Sequence, residues 1–228
     1  MQKIDMRMKQ ILWGALDRYL EKRRCIRVYF SEPGDKGIFD LVAAIKGETE
    51  FLLGFSEAVQ LYSLVARTGA IPGLIAEVGA YMGGSAKLMH LADPDRRLVS
   101  FDTFEGLPVD DEVKVGICRG QYKSSYEMVM KYLSEYPKIQ LIKGVFPDSA
   151  SKLLDEKFSL VHLDTDLNVA TYQSLEFFYP RVSKCGVIVS HDYQSNEGVR
   201  KAFDDFFRDK VEMVIPIAGT TQCLVIKA

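Results

Sequence analysis

The chain has 228 residues, 47% of them hydrophobic and 26% charged, with a net charge of −2. This length suits one domain with peripheral elements better than two full domains, and the balanced charge excludes a global pull toward nucleic acid or an anionic membrane. No apolar run approaches the roughly 20 residues that span a bilayer, and the N-terminus spreads charges where a signal peptide would be continuously apolar. The four cysteines, Cys25, Cys118, Cys185 and Cys223, show no CxxC spacing and read as free thiols in a reducing cytoplasm.

Residues 4–23 carry an amphipathic helical pattern, with Met8, Ile11, Leu12, Leu16, Tyr19 and Leu20 near one face. Residues 1–30 hold eight Lys/Arg against three Asp/Glu. These charges are interleaved, which favours a solvated face on a docking or dimer helix over a nucleic-acid or membrane patch. Residues 1–50 are thus expected to form a helical extension, a cap or an oligomerisation element pointing to a homodimer, and residues 51–228 the main domain. Residues 37–46 and 55–68 read as helices. Short β-rich runs then alternate with helical patterns. The expected strands are Leu74–Val78, Leu98–Phe101, Ile139–Lys143, Ser159–Leu163 and Gly186–Ser190, with helices near 84–92, 124–135, 148–155, 169–182 and 197–208. Glu212–Ile215 and Gln222–Ile226 flank a turn-like Ala218-Gly219-Thr220 and suit an edge hairpin. The pattern predicts an α/β fold with a mostly parallel, Rossmann-like sheet of seven strands, ending in an antiparallel hairpin and flanked by helices.

The first chemical signal is Glu77-Val78-Gly79-Ala80-Tyr81-Met82-Gly83-Gly84-Ser85, which follows an apolar strand and opens a helix. In open α/β sheets ligands bind beyond the carboxyl ends of the strands. Gly79 permits a sharp turn there, Gly83 and Gly84 permit close backbone approach, and Ser85 can cap the helix or meet a ligand. The spacing is not GxGxxG, and Tyr81 is too bulky for a pyrophosphate, so an amino-acid end on the ligand fits better, with Glu77 near its ammonium. The bland alternative is a tight strand–helix turn with no ligand. Asp102 ends the next strand, where an acid can accept bonds from both ribose hydroxyls of an adenosine, as in NAD or S-adenosylmethionine (SAM). An Asx turn is its structural alternative.

The second signal is Val161-His162-Leu163-Asp164-Thr165-Asp166, with Val187-Ile188-Val189-Ser190-His191-Asp192-Tyr193 one strand later. Adjacent parallel strands end near one another, so Asp164, Asp166, His191 and Asp192 are expected at one rim. Crowded carboxylates raise their own pKa unless a cation pairs with them. Oxygen ligands suit Mg²⁺, and a histidine in the set would also admit Mn²⁺. Helix capping by Asp164 and Asp192 is the alternative, and His162 reads as a core histidine.

Taken together, Ile71-Pro72-Gly73, Glu77-Val78-Gly79, Gly83-Gly84-Ser85, Ser100-Phe101-Asp102-Thr103-Phe104-Glu105-Gly106-Leu107-Pro108, Leu163-Asp164-Thr165-Asp166-Leu167, Leu175-Glu176-Phe177-Phe178-Tyr179-Pro180 and His191-Asp192-Tyr193 resemble the macrocin O-methyltransferase (TylF-like) family over about residues 51–210. The resemblance implies a class I methyltransferase fold and SAM-dependent, Mg²⁺-assisted O-methylation of a sugar hydroxyl on a glycoside or glycan. With that cofactor, the residues expected to bind it are Glu77, Gly79, Gly83, Gly84, Ser85, Asp102, Thr103 and Phe104. The resemblance assigns Asp164 and Asp192 to the metal and Asp166 to the general base, and His191, which can still ligate, completes the expected metal set. Two positions depart from the pattern. His191 stands where the family often has a second aspartate, and Asn168 where an aromatic commonly follows L-D-x-D-L. Residues 108–121 read as a mobile lid over the acceptor. The alternatives are a methyltransferase acting on a catechol or other small diol, and a SAM-binding protein without activity. A NAD(P) oxidoreductase is disfavoured by the missing GxGxxG.

Overall fold

A computed structural model of the protein describes residues 35–109, 113 and 116–228. Residues 37–228 form one compact unit. The helix expected over residues 4–23 lies outside the described residues.

The elements follow in the expected alternating order. Helices α1 (Asp35–Glu48) and α2 (Phe55–Arg67) precede β1 (Leu74–Val78), α3 (Gly84–Ala92), β2 (Leu98–Asp102), α4 (Tyr126–Tyr132) and β3 (Ile139–Lys143). Then come a 3₁₀ turn (Asp148–Leu153), β4 (Phe158–Leu163), α5 (Asn168–Phe178), a second 3₁₀ turn (Tyr179–Arg181), β5 (Val182–Ser190), α6 (Glu197–Phe207), β6 (Ile215–Pro216) and β7 (Cys223–Ile226). The sheet has seven strands in the order β3-β2-β1-β4-β5-β7-β6. Strands β1 to β5 are parallel neighbours, and β7 runs antiparallel to both β5 and β6.

Local chemistry explains where the expected boundaries moved. The pattern over 169–182 breaks because Pro180 has no N–H to continue the ladder, so α5 stops at Phe178 and the chain tightens into a 3₁₀ turn. The stretch expected as a helix over 148–155 is a 3₁₀ turn. Strand β6 is only two residues long. It lies at the sheet edge, where Pro216 is tolerated, and Ile217 N–H still donates to the Gln222 carbonyl at 2.9 Å before the chain turns.

Side-chain alternation along the strands sorts the core into two layers. Leu74, Ala76, Val78, Val99, Phe101, Val161 and Leu163 face α5 and α6, meeting Leu175, Phe178, Val199 and Phe203. Ile75, Leu98, Leu160 and Val189 face the other way, toward Ile45, Leu61, Leu88 and Val129 of α1 to α4. The central strands β1 and β4 are buried along their whole length, as parallel strands covered on both faces must be.

Candidate active site

The parallel strands all end on one rim, and their exits carry the polar residues. Gly79 follows β1, Asp102 closes β2, Gly144 follows β3, Asp164 follows β4 and His191 follows β5. The chain runs outward from β1 to β2 and β3, then returns to β4 on the other side of β1. That reversal is the switch point at which ligands bind in open sheets. A cavity of about 290 Å³ opens there. Its wall includes Gly79, Tyr81, Asp102 and Thr103 from the β1 and β2 exits, and Leu107, Pro108, Gln121 and Tyr122 from the loop that follows. Val145, Phe146, Asp164, Asp166, His191 and Asp192 complete the lining that matters for chemistry.

At the β2 end, Asp102 organises two loops. Its Oδ2 accepts the Tyr81 N–H at 2.7 Å and its Oδ1 accepts the Phe104 N–H at 2.7 Å. Each oxygen keeps a second lone pair for a ligand hydroxyl. Burial pushes the Asp102 carboxyl up, against the pull of those two N–H groups. Gly79 has φ +104°, and a Cβ there would fall 2.0 Å from the Asp164 carbonyl oxygen. The first glycine therefore lets the β1 and β4 exits touch.

Five non-glycine residues around this rim hold positive φ: Tyr81, Phe104, Tyr122, Asp166 and Asp192, at 45° to 61°. Such backbones are uncommon and persist where the surroundings over-determine them, often at functional sites. Asp166 is held from behind, since its carbonyl accepts Asn196 Nδ2 at 2.7 Å. Asn196 also caps α6 through Oδ1, which accepts Gly198 N–H at 2.9 Å. Tyr122 faces the acids from the loop. The charge on Asp166 above all, then burial and the charges on Asp192 and Asp164, push its phenol up, so it stays a donor. The loop itself is pinched at its base, where Leu107 N–H donates to the Gln121 carbonyl and Gly120 N–H to the Leu107 carbonyl, both at 2.9 Å.

On the β4 and β5 side, His191 Nδ1 lies 3.1 Å from Asp164 Oδ1 and 3.0 Å from Asp192 Oδ2. Its Nε2 lies 3.3 Å from Glu57 Oε2 in α2. Burial works against a charge on this ring, but the carboxylates of Asp164, Asp192 and Glu57 outweigh it and raise the imidazole well above its ordinary range. Burial likewise opposes the charges on Glu57 and Asp192. Bonds from His191, Thr221 and Gly54 nevertheless bring Glu57 down to about 2, and bonds from His191 and Ser195 hold Asp192 low. One ligand atom each from Asp164, His191 and Asp192 lies within 4.8 Å of the others. Two carboxylates and an imidazole at that spacing fit a divalent ion.

Several expected site residues sit elsewhere. Glu77 is fully buried and does not line the cavity. In a strand of period two it shares the face of Ile75, not the rim, and there it accepts a bond from Ser100 Oγ and meets His162 Nδ1 at 3.2 Å. His162 is thus the core histidine expected. Gly83 and Gly84 make room for packing. A Cβ at Gly83 would reach Leu133 and Val129 at 3.1 Å, and one at Gly84 would reach the Phe51 ring at 2.8 Å. Ser85 is buried in the first turn of α3, and Phe104 is buried against the Tyr126 ring. None of these four lines the cavity. Asn168 does not line it either; its Nδ2 donates to the Gly198 carbonyl at 2.8 Å and ties α5 to α6. The sequence reading missed Glu57, Tyr122, Val145 and Phe146. Only Tyr122, beside the supposed lid, carried any local signal.

The sheet order and the acid at the end of β2 define a class I methyltransferase fold. Within that class the chain belongs to the macrocin-O-methyltransferase (TylF) family, whose profile matches residues 57–223. It is 28% identical over 153 residues to the 8-demethyl-8-(2,3-dimethoxy-alpha-L-rhamnosyl)-tetracenomycin-C 4'-O-methyltransferase of Streptomyces olivaceus, covering 60% of this chain and 58% of that protein. It is 24% identical over 153 residues to the demethyldecarbamoylnovobiocin O-methyltransferase of Streptomyces niveus, with the same coverage. These matches span less than two thirds of the relatives' own length. Among solved structures, the O-methyltransferase NovP superposes with a TM-score of 0.66 at 21% identity, over 77% of this chain and 81% of NovP. That likeness is one of fold.

Proposed function

We propose that this chain is a SAM-dependent O-methyltransferase that methylates a sugar hydroxyl of a glycosylated small molecule or glycan. One observation carries the reading. In a chain of this family, a ribose-competent acid, Asp102, and the cluster Asp164, Asp166, His191 and Asp192 line the same cavity at the switch point. Bound SAM would supply the electrophilic methyl group, and a divalent ion held by Asp164, His191 and Asp192 would lower the pKa of the acceptor hydroxyl and fix its position.

The chain's own residues do the rest. The Asp102 oxygens accept the ribose hydroxyls, with Thr103 and Gly79 beside them. Asp166, fixed by Asn196 and by its own tight turn, takes the acceptor's proton. The loop through Leu107, Pro108, Gln121 and Tyr122 closes over the acceptor and excludes water. Holding the acceptor oxygen in line with the methyl group is mainly a matter of orientation, which a cavity on rigid strand ends provides.

Among the described residues no helix is long and apolar enough to cross a membrane, and Cys118, Cys185 and Cys223 are free thiols. The free thiols support a cytoplasmic enzyme.

The test is titration calorimetry with S-adenosylhomocysteine, followed by turnover on a panel of deoxysugar glycosides read by mass spectrometry. Micromolar binding and a single added methyl on a sugar are expected. Binding without turnover on any glycoside would reject the sugar acceptor. A second reading, methylation of a catechol or similar diol, has one observation in its favour. Tyr81, Tyr122 and Phe146 line the cavity, and their rings suit a flat partner. Catechols therefore belong in the same panel.

A further inference from the structure

We infer that Glu57 is a positioning residue that turns His191 toward the metal position and makes the site prefer a transition ion such as Mn²⁺ to Mg²⁺. This inference rests on the reading of Asp164, His191 and Asp192 as metal ligands. Glu57 lies 134 positions away in sequence and enters from a different layer of the fold.

Glu57 is itself immobilised. Its Oε1 accepts the Thr221 N–H and the Thr221 hydroxyl, each at 2.8 Å, and its Oε2 accepts the Gly54 N–H at 2.7 Å. The carboxylate is thereby fixed between the start of α2 and the turn before β7, and only 7% of the residue is exposed. His191 Nε2 points at this fixed oxygen, 3.3 Å away. Both ring nitrogens face carboxylates, which can only accept, so the ring without a cation holds both protons. A cation at Asp164 and Asp192 would displace the Nδ1 proton, and Glu57 would keep the remaining one on Nε2, leaving the Nδ1 lone pair for the ion. A carboxylate behind a ligating histidine sets its tautomer and raises its basicity as a ligand. One imidazole among carboxylates shifts preference from Mg²⁺, which takes oxygen ligands, toward first-row transition ions. With an aspartate at position 191, Glu57 would face a like charge and could play no such part.

The test uses the full chain with Mn²⁺ and Mg²⁺ as probes. Electron spin echo envelope modulation of the Mn²⁺-loaded wild type should show coupling to a directly bound nitrogen, lost in His191→Asp. By calorimetry, Glu57→Gln should weaken Mn²⁺ binding about 10-fold or more and leave Mg²⁺ binding within about 3-fold, so that the preference narrows. The same substitution on the His191→Asp background should leave Mn²⁺ affinity unchanged. Mn²⁺ binding without nitrogen coupling, or equal losses for both ions in Glu57→Gln, would overturn the inference and leave the metal site standing. Failure of both ions to bind the folded wild type would sink the metal site and this inference together. The spectroscopic arm needs no variant, so a folding defect in Glu57→Gln leaves it decisive.

Discussion

Individual side chains divide the site's labour, and single substitutions can separate their roles. Asp166→Asn keeps the shape of the turn but removes the proton acceptor. Turnover is expected to fall about 10²- to 10⁴-fold, with S-adenosylhomocysteine affinity essentially unchanged in calorimetry. Full turnover with the correct acceptor would show that another group takes the proton. Asp102→Ala acts on the other half of the cavity. It removes two acceptors for the ribose and also frees the Tyr81 and Phe104 N–H groups. Hydrogen bonds to a charged group are each worth about 1.5–3 kcal/mol, so cofactor affinity should drop at least about 10-fold. Unchanged affinity would place the adenosine elsewhere. These acids were legible in sequence because each follows an apolar strand. Glu57 was not. A glutamate three residues after Gly54 reads as a helix start, and nothing local reveals that it reaches His191.

The link between a helix end and the chemistry is clearest at Asn196. It caps α6 through Oδ1 and anchors the Asp166 carbonyl through Nδ2, so one side chain serves both stability and the position of the base. Asn196→Ala should cost about 1–2 kcal/mol in denaturant unfolding and reduce turnover as well. Asn196→Asp should keep the cap and most of the stability. It replaces the donor to Asp166 with an acceptor, so turnover should still fall. If Asn196→Asp retained wild-type turnover, the anchor would be irrelevant to catalysis. Element types and order were readable from periodicity. One exception has a clear local cause: Pro180 cuts α5 short.

For the molecule as a whole, pH dependence follows from carboxylates held low in the folded state. Burial opposes the charge on Glu212, but bonds from Lys227 and Tyr179 outweigh it and bring its pKa from 4.5 to about 2. Glu57 shifts the same way. A depressed folded pKa contributes stability that is full above the unfolded value and is lost as pH falls through the folded one. These carboxylates should therefore make the thermal midpoint decline between about 4.5 and 2, while His191, raised in the folded state, adds stability as pH falls from neutral through its ordinary value of 6.5. Glu212→Gln should lower the plateau and flatten part of that decline. A midpoint already falling between pH 7 and 5 would point to other groups. The expected homodimer through residues 1–50 remains a proposal, and light scattering should give twice the 25.7 kDa chain mass. A monomer at micromolar concentration would remove it.

The sequence alone determined the α/β class, the strand order of chemistry along the chain, and the presence of Asp102, Asp164, Asp166, His191 and Asp192 at strand exits. It could do so because period-two and period-3.6 patterns and strand-end acids are local features. Only the tertiary structure decided which motif residues face the cavity. Glu77 points into a helix-packed layer because strand alternation turns it away from the rim, and Gly83 and Gly84 yield their space to Leu133, Val129 and Phe51. Only the folded chain brings Glu57 of α2 behind His191 of the β5 exit, since that contact depends on how layers stack rather than on any neighbour in sequence.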